Sequence, residues 1–543
     1  MSAVTITQAF ELPRFDGSGA VTAQHLPTPT EIGRLLSPRN APKPPENLVA
    51  AAQRLAACEA MEQETLVKQL AAEWLPAART LSDAAPGDEV YAASEVVRAA
   101  VDAGLLPLGS LEDFLVQHGY AEQASVECDL REGVADAGPL ALVLRARGSE
   151  DLREIEAGLA ALPECEKRLL GPLPRLLAVR HMMALLDEPT GDEISGEALS
   201  TADLVLARRD LTPLERAFGH EAMTSAMIDT EPYAAVRHAC LALLGAQSFA
   251  GLELRTELSV QLLDALTAAE MPDHLDTAIT ALRDLADELS GEMRINLCMR
   301  LSSACLELGR RGNAVRFLLA AADTARHLPG SDFHRAELHA RVQAARLFLD
   351  MSLPDRCAAT CRTVVRRVEK SLEHAWAGWE YAVESLVMLV ICEGAALHDA
   401  PRIPSPVDGS GLPSRERLAT LVSHTRRTIE RAPTAMGERA RFWAVYLDDR
   451  YATLLAMNGD MRAAQRCARA AIRGWAALGE DGHRHRLSVD YACMLADGGQ
   501  VEKARELVAD EIGWLAEQDA DDSHLVSLLA SWDRAGLTGI EAG

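Results

Sequence analysis

The chain reads as an all-α protein: a helical-hairpin solenoid in the C-terminal half, preceded by an irregular helical N-terminal region and an extended Pro-rich arm. Three observations predict this. Hydrophobic residues make up 48% of the 543 residues while aromatics supply only 4%, so the core must be built from Ala, Leu and Val. Ala and Leu are strong helix formers, whereas strand-rich chains lean on β-branched and aromatic residues. From Glu46 onward, apolar residues recur at helical spacing. Finally, three segments of the C-terminal half repeat one pattern of turn glycine and helix alanine.

In chain order, residues 1–45 form the arm. Pro13, Pro27, Pro29, Pro38, Pro42, Pro44 and Pro45, with Gly17 and Gly19, forbid one continuous helix. Weak alternation over Val4–Leu12 would allow a short strand. Residues 46–250 form a helical domain. Leu48, Ala51, Ala52, Leu55 and Ala56 share a helix face, and a second helix over Val90–Ala103 is stopped by Gly104 and Pro107. Ser110-Leu-Glu-Asp113 and Thr212-Pro213-Leu-Glu215 are helix starts of the capping-box kind, the second reinforced by proline in the first turn. The apolar stretch between Gly138 and Gly148 suits a short buried helix better than a strand.

Residues 251–543 hold the repeats, interrupted by a Pro/Gly-rich loop at 398–414 whose Ser414 can cap a helix from Arg415. Leu301–Gly309 is followed by Ala314 and Ala321, Tyr451–Gly459 by Ala464 and Ala471, and Tyr491–Gly499 by Ala504. Gly459 to Gly499 and Ala464 to Ala504 are both 40 residues apart. Weaker units run over Val260–Ala281 and Ala340–Ala359, with Met-Pro-Asp and Leu-Pro-Asp at their turns. Helices near Trp376–Leu397 and Arg415–Arg431 fill the remaining interval as an irregular pair. Over roughly residues 255–535 this layout resembles the tetratricopeptide repeat, in which small residues let two helices of a hairpin pack closely, although the spacing exceeds the basic 34-residue unit. It looks like the longer repeats in sensor arms of large actinobacterial transcription regulators.

The resemblance implies a concave face lined by the first helix of each hairpin, whose positions 2, 6 and 9 meet the ligand. With Gly309 at position 15 these are Asn296, Arg300 and Ser303; with Gly459 they are Tyr446, Arg450 and Thr453; with Gly499 they are Arg486, Asp490 and Cys493. In the weaker unit, with Asp350 at position 15, Arg341 takes position 6. The partner-binding set is therefore Asn296, Arg300, Ser303, Arg341, Tyr446, Arg450 and Arg486. Arginine forms forked hydrogen bonds to carboxylates, so the array would suit a protein or peptide with acidic segments. This is similar to the carboxylate-clamp repeats that grip peptide C-termini, although those also use Lys and Asn, and here only Asn296 fits that part. The competing expectation is that these arginines pair with acids on neighbouring helices.

Charge and motifs narrow the classes. The net charge is −26, distributed as −21 over residues 1–330, +3 over 331–490 and −8 over 491–543. An acidic chain disfavours nonspecific binding to nucleic acid or anionic membrane. The basic stripes Arg362/Arg366/Arg367/Lys370 and Arg426/Arg427/Arg431 lack the interleaved aromatics of a nucleic-acid face. The uninterrupted apolar run Ser385–Cys392 is too short to cross a bilayer, and the N-terminus lacks the basic start and apolar stretch of a signal peptide. Eleven cysteines without paired spacing suit a reducing cytoplasm.

No phosphate-loop or dinucleotide fingerprint is found. His220-Glu221 starts like a zinc-protease helix, but Thr224 stands where a second histidine is needed. His483-Arg-His485, read as a loop beside Asp481, completes no metal set. Cys357 and Cys361, one turn apart, suit small buried residues, and Asp448-Asp449 would partner Arg450 or Arg441. No cofactor, metal or catalytic site is expected. The leading expectation is a non-enzymatic interaction scaffold, adaptor or chaperone-like protein. The alternative is a regulator's sensor arm working with a separate ATPase or DNA-binding chain, and an enzyme with a site hidden in residues 46–250 is the third class.

Overall fold

In the computed structural model the described residues are 26–36, 45–60, 63–82, 84–133, 138–165, 172–187, 195–247, 251–370, 375–399 and 413–517. They are helical throughout, with no strand among them. The predicted Val4–Leu12 strand and nearly all of the 398–414 loop lie outside them. The chain forms two compact units, residues 1–310 and 311–543, a division different from the one the sequence suggests near 250.

The first unit opens with α1 (Pro29–Leu36), a short helix inside the Pro-rich arm; Pro29 starts it because the first helical position needs no backbone N–H. Then follow α2 (Leu48–Ala60), α3 (Glu64–Arg79), α4 (Gly87–Asp102), α5 (Ser110–Gln117) and α6 (Ala121–Arg131). Hairpins begin with α7 (Pro139–Gly148) and α8 (Leu152–Cys165). They continue through α9 (Leu173–Asp187), α10 (Gly196–Leu206), α11 (Pro213–Met227), α12 (Pro232–Ala246), α13 (Leu252–Ala268), α14 (Pro272–Glu288) and α15 (Gly291–Glu307). Alternate helices α7, α9, α11, α13 and α15 pack on one another in sequence, so they form one layer while their hairpin partners form the other. The hairpin architecture thus begins near residue 139, about a hundred residues before the repeat is legible in sequence.

The second unit repeats the arrangement. It comprises α16 (Arg311–Ala325), α17 (Ser331–Asp350), α18 (Pro354–Lys370), α19 (Ala375–Asp399), α20 (Arg415–Glu430), α21 (Gly437–Met457), α22 (Met461–Leu478), α23 (Asp481–Asp497) and α24 (Val501–Glu517). Here α17, α19, α21 and α23 form the first-helix layer. Gly378–His398, within α19, is long and apolar enough to cross a membrane by length and composition alone, yet 72% of its most apolar window is buried inside the fold. Counting only the uninterrupted apolar run misses this, because just two acids, Glu384 and Glu393, flank that run.

The turns explain why the repeat is visible. Gly309, Gly459 and Gly499 have φ of 67°, 80° and 78°, a region that costs other residues about 1–2 kcal/mol. Each closes its helix identically: the glycine N–H donates three residues back and the next N–H five residues back, as in Arg310 to Cys305 at 2.7 Å and Gln500 to Leu495 at 2.8 Å. The two weaker units make the same turn without glycine, at Glu270 (φ 51°) and Ser352 (φ 57°). Their backbone bonds, Met271 to Leu266 and Leu353 to Phe348, match.

Caps follow the sequence in part. Thr212 and Glu215 form the full capping box, with Thr212 N–H donating to Glu215 Oε2 at 2.7 Å. Ser414 Oγ accepts from Arg417 N–H at 3.2 Å. Ser110 does not cap: its hydroxyl donates to the Pro107 carbonyl at 2.8 Å, and Gly109 takes the cap position with φ 95°. His483 and His485 lie in the first turns of α23 rather than in a loop.

Ala464 and Ala504 are fully buried, in clusters with Trp475 and Leu487 and with Val489 and Leu495 respectively. A leucine at 464 has nowhere to go. Ala464→Leu is expected to destabilise by about 1–3 kcal/mol through overpacking, read as a lowered denaturation midpoint; an unchanged midpoint would refute close packing at this contact.

Candidate interaction face

The first-helix layer of each unit carries the predicted ligand positions. In the first unit Asn296, Arg300 and Ser303 share an exposed face of α15. Arg300 pairs with Asp264 of α13 at 3.5 Å, while Ser303 turns its hydroxyl back to the Met299 carbonyl. Burial raises the Asp264 pKa, and Arg300 opposes that rise.

In the second unit Arg341 does not reach the face. It is 9% exposed and bonds Glu337 through Nε at 3.3 Å and Asp323 of α16 through Nη2 at 2.8 Å. Glu337, only 1% exposed, also accepts from Arg367 of α18 at 3.0 Å. The reason is register. The left-handed residue that ends α17 is Ser352, not Asp350, so the equivalents of positions 2, 6 and 9 are His339, Gln343 and Arg346. Two residues of phase is about 200° around a helix, which turns Arg341 into the packing. His339 and Arg346 do lie toward α19: His339 meets the Tyr381 ring edge-on at 6.1 Å, and Arg346 pairs with Glu384. Arg335, His339 and Tyr381 line a shallow cavity of about 270 Å³ with Asp332 and Ala336.

Further along, α21 and α23 bring Tyr446, Arg450 and Arg486 together. Asp449 is completely buried, and its Oδ2 accepts from Trp475 Nε1 at 3.1 Å and from Arg486 Nη2 at 2.6 Å. Asp449 is therefore held by Arg486 and Trp475, and Asp448 pairs with Arg426 at 2.5 Å; neither takes the expected Arg450 or Arg441. Trp475 is itself fully buried, stacked on His483 at 4.6 Å and met edge-on by Phe442 at 5.3 Å.

Arg450 differs from the other three arginines. Its guanidinium lies over the Tyr446 ring, 4.8 Å from the centroid, and its buried Nε has no hydrogen-bond partner. Among the described residues it makes no ion pair, whereas Arg300, Arg341 and Arg486 each do. Asp490 stands nearby with its pKa raised by burial, against the pull of Arg486 and Arg450. Sequence reasoning missed the aromatic wall behind this face, although the signal was available: Phe442, Trp443 and Tyr446 fall within five residues of a chain with 4% aromatics.

Other titratable groups serve the core. His220 Nδ1 lies 3.0 Å from His238 Nδ1, which joins α11 to α12. Cys357 Sγ is 3.9 Å from Cys361 Sγ, and hydrogen bonds to Cys357, followed by burial, keep the Cys361 and Cys392 thiols protonated. No group of three or more His, Cys, Asp or Glu side chains among the described residues is arranged to hold a metal ion.

No protein-family model matches the chain, and no curated protein matches it. Among solved structures it is similar to a Rap protein complexed with Competence and Sporulation Factor, at 12% identity and a TM-score of 0.29, over 73% of this chain and 99% of that one. It is also similar to a circular tandem repeat protein with novel repeat topology and enhanced subunit contact surfaces, at 14% identity and a TM-score of 0.20, over 94% of this chain and 100% of that one.

Proposed function

We propose that the protein is a non-enzymatic interaction scaffold whose second unit takes a peptide or protein segment on the α21/α23 face. The observation that carries this reading is Arg450, an arginine held over an aromatic ring that makes no ion pair among the described residues and whose buried Nε has no hydrogen-bond partner. A guanidinium so placed offers forked donors at little ordering cost, and an acidic side chain or chain terminus is the natural acceptor. Tyr446 supplies the apolar floor, and the Arg486–Asp449 pair fixes the neighbouring helix. The exposed Asn296, Arg300 and Ser303 face of α15 is the corresponding surface of the first unit. A reducing cytoplasm is the compartment proposed for it, since the sequence carries eleven cysteines without paired spacing.

The reading is tested by affinity capture from the native cell extract with wild-type protein and with Arg450→Ala. Arg450 contributes only a ring contact worth about 0.5–1 kcal/mol to the fold, so the variant should melt within a few degrees of wild type. Recovery of its acidic partner should fall at least tenfold. Equal recovery by both proteins would refute the α21/α23 face. Capture of a separate ATPase or DNA-binding chain would instead favour the regulatory sensor arm.

A further inference from the structure

We propose that the groove between α12 and α14 is a helix-docking site with α1 as its resident ligand. The partner it fits is an amphipathic helix carrying aliphatic side chains at i, i+3 and i+4 with glycine at i+1. This site lies in the first unit and is independent of the face around Arg450.

The groove is read from its occupant. Helix α1 lies against α14 and α12, both of the second-helix layer. Ile32, Leu35 and Leu36 are 0%, 6% and 2% exposed, so one side of a two-turn helix is almost wholly covered. A Cβ at Gly33 would stand 2.9 Å from Thr277 Cγ2, which sets the close approach and the demand for glycine. The entry is fixed by His274 Nε2, which donates to the Pro27 carbonyl at 3.1 Å. Thr28 and Glu31 then start the helix, with Thr28 N–H donating to Glu31 Oε2 at 2.8 Å.

An eight-residue helix has no stability of its own in water, so the groove is what keeps α1 helical. This is the helix-in-groove mode of recognition, with anchors about one turn apart on one face. Helix α1 is two turns long, and residues 37–47 lie between it and α2. A partner helix with the same anchors makes the same contacts in the groove. An outside helix must displace α1 to occupy the groove.

The probe is a fluorophore-labelled synthetic peptide of residues 26–37, titrated by anisotropy against the full chain. Leu36→Asp releases the resident helix and should bind the peptide at least tenfold more tightly than wild type. Adding Thr277→Arg to that variant should abolish the gain by filling the groove. A Leu36→Asp protein with native helicity and melting that binds no better than wild type would overturn the proposal and make α1 a fixed part of the fold. Should Leu36→Asp fail to fold, wild type answers by hydrogen exchange with the peptide in excess. Faster exchange at residues 29–36, with α12 and α14 still protected, supports displacement; unchanged exchange at saturating peptide overturns it.

Discussion

Arg486→Ala is expected to destabilise the second unit by about 3 kcal/mol, the lower end of the range for breaking a buried ion pair by removing one partner. The cost arises at the residue left behind. Asp449 has no solvent exposure, and Arg486 supplies its shortest contact, 2.6 Å to Oδ2, while Oδ1 has no partner at all. Without the guanidinium the carboxylate keeps only the Trp475 N–H. The estimate stays low because the Arg486 side chain is 38% exposed, which lets water approach the space it leaves. For a unit of this size the melting temperature should drop by roughly 6–12 °C. Replacing both members, Arg486→Met with Asp449→Leu, should recover most of the loss, since an apolar pair removes the stranded charge. A melting temperature unmoved by Arg486→Ala would show that the pair carries no stability. Arg450→Ala, by contrast, removes a contact with the Tyr446 ring and no ion pair among the described residues, so its melting temperature should stay within a few degrees of wild type.

The second large effect is on acid stability, through His220 and His238. Two imidazoles with facing Nδ1 atoms share one proton between them, which two charged rings cannot do because each then carries a hydrogen on its Nδ1. Burial, then Arg237 and Arg216, lowers the His220 pKa from 6.5 to about 4. Burial, then His220 and Arg237, lowers that of His238 as well. In the unfolded chain both return to about 6.5, so between pH 4 and 6.5 the unfolded state binds more protons. The pair's contribution is therefore complete above pH 6.5 and falls as the pH drops toward 4, by up to about 1.4 kcal/mol per pH unit for each ring.

Glu221, the next residue, works in the opposite sense. Burial raises its pKa to about 7, against a hydrogen bond from Gln261. It enters the fold protonated, so its contribution is present below the unfolded value near 4.5 and is lost as the pH rises through 7. Comparing wild type with His220→Asn/His238→Asn cancels Glu221. From pH 6.5 to 5 the wild type should lose about 2 kcal/mol relative to the variant, the lower half of the two-ring maximum because His220 keeps some solvent contact. A difference that does not change with pH would exclude a buried neutral pair.

The amino-acid sequence by itself determined the features whose causes lie within a turn or two of chain. Helix follows from Ala and Leu spacing, the capping box from Thr212 and Glu215, and the hairpin turns from Gly309, Gly459 and Gly499, because only glycine takes the left-handed conformation freely. Where Glu270 and Ser352 make that same turn at a cost, the local signal is absent, and with it went the register that misplaced Arg341. Tertiary structure alone decided which charges are spent. Asp323 stands 18 residues from Arg341, Asp449 stands 37 from Arg486 and Glu384 stands 38 from Arg346, so each pairing depends on which helix becomes a neighbour. The seat of α1 beside His274, some 247 residues beyond Pro27, and the meeting of His220 with His238 are of the same kind. Backbone geometry is written locally because hydrogen bonds in helices and turns span three to five residues, whereas a side chain's partner is chosen only when the layers pack.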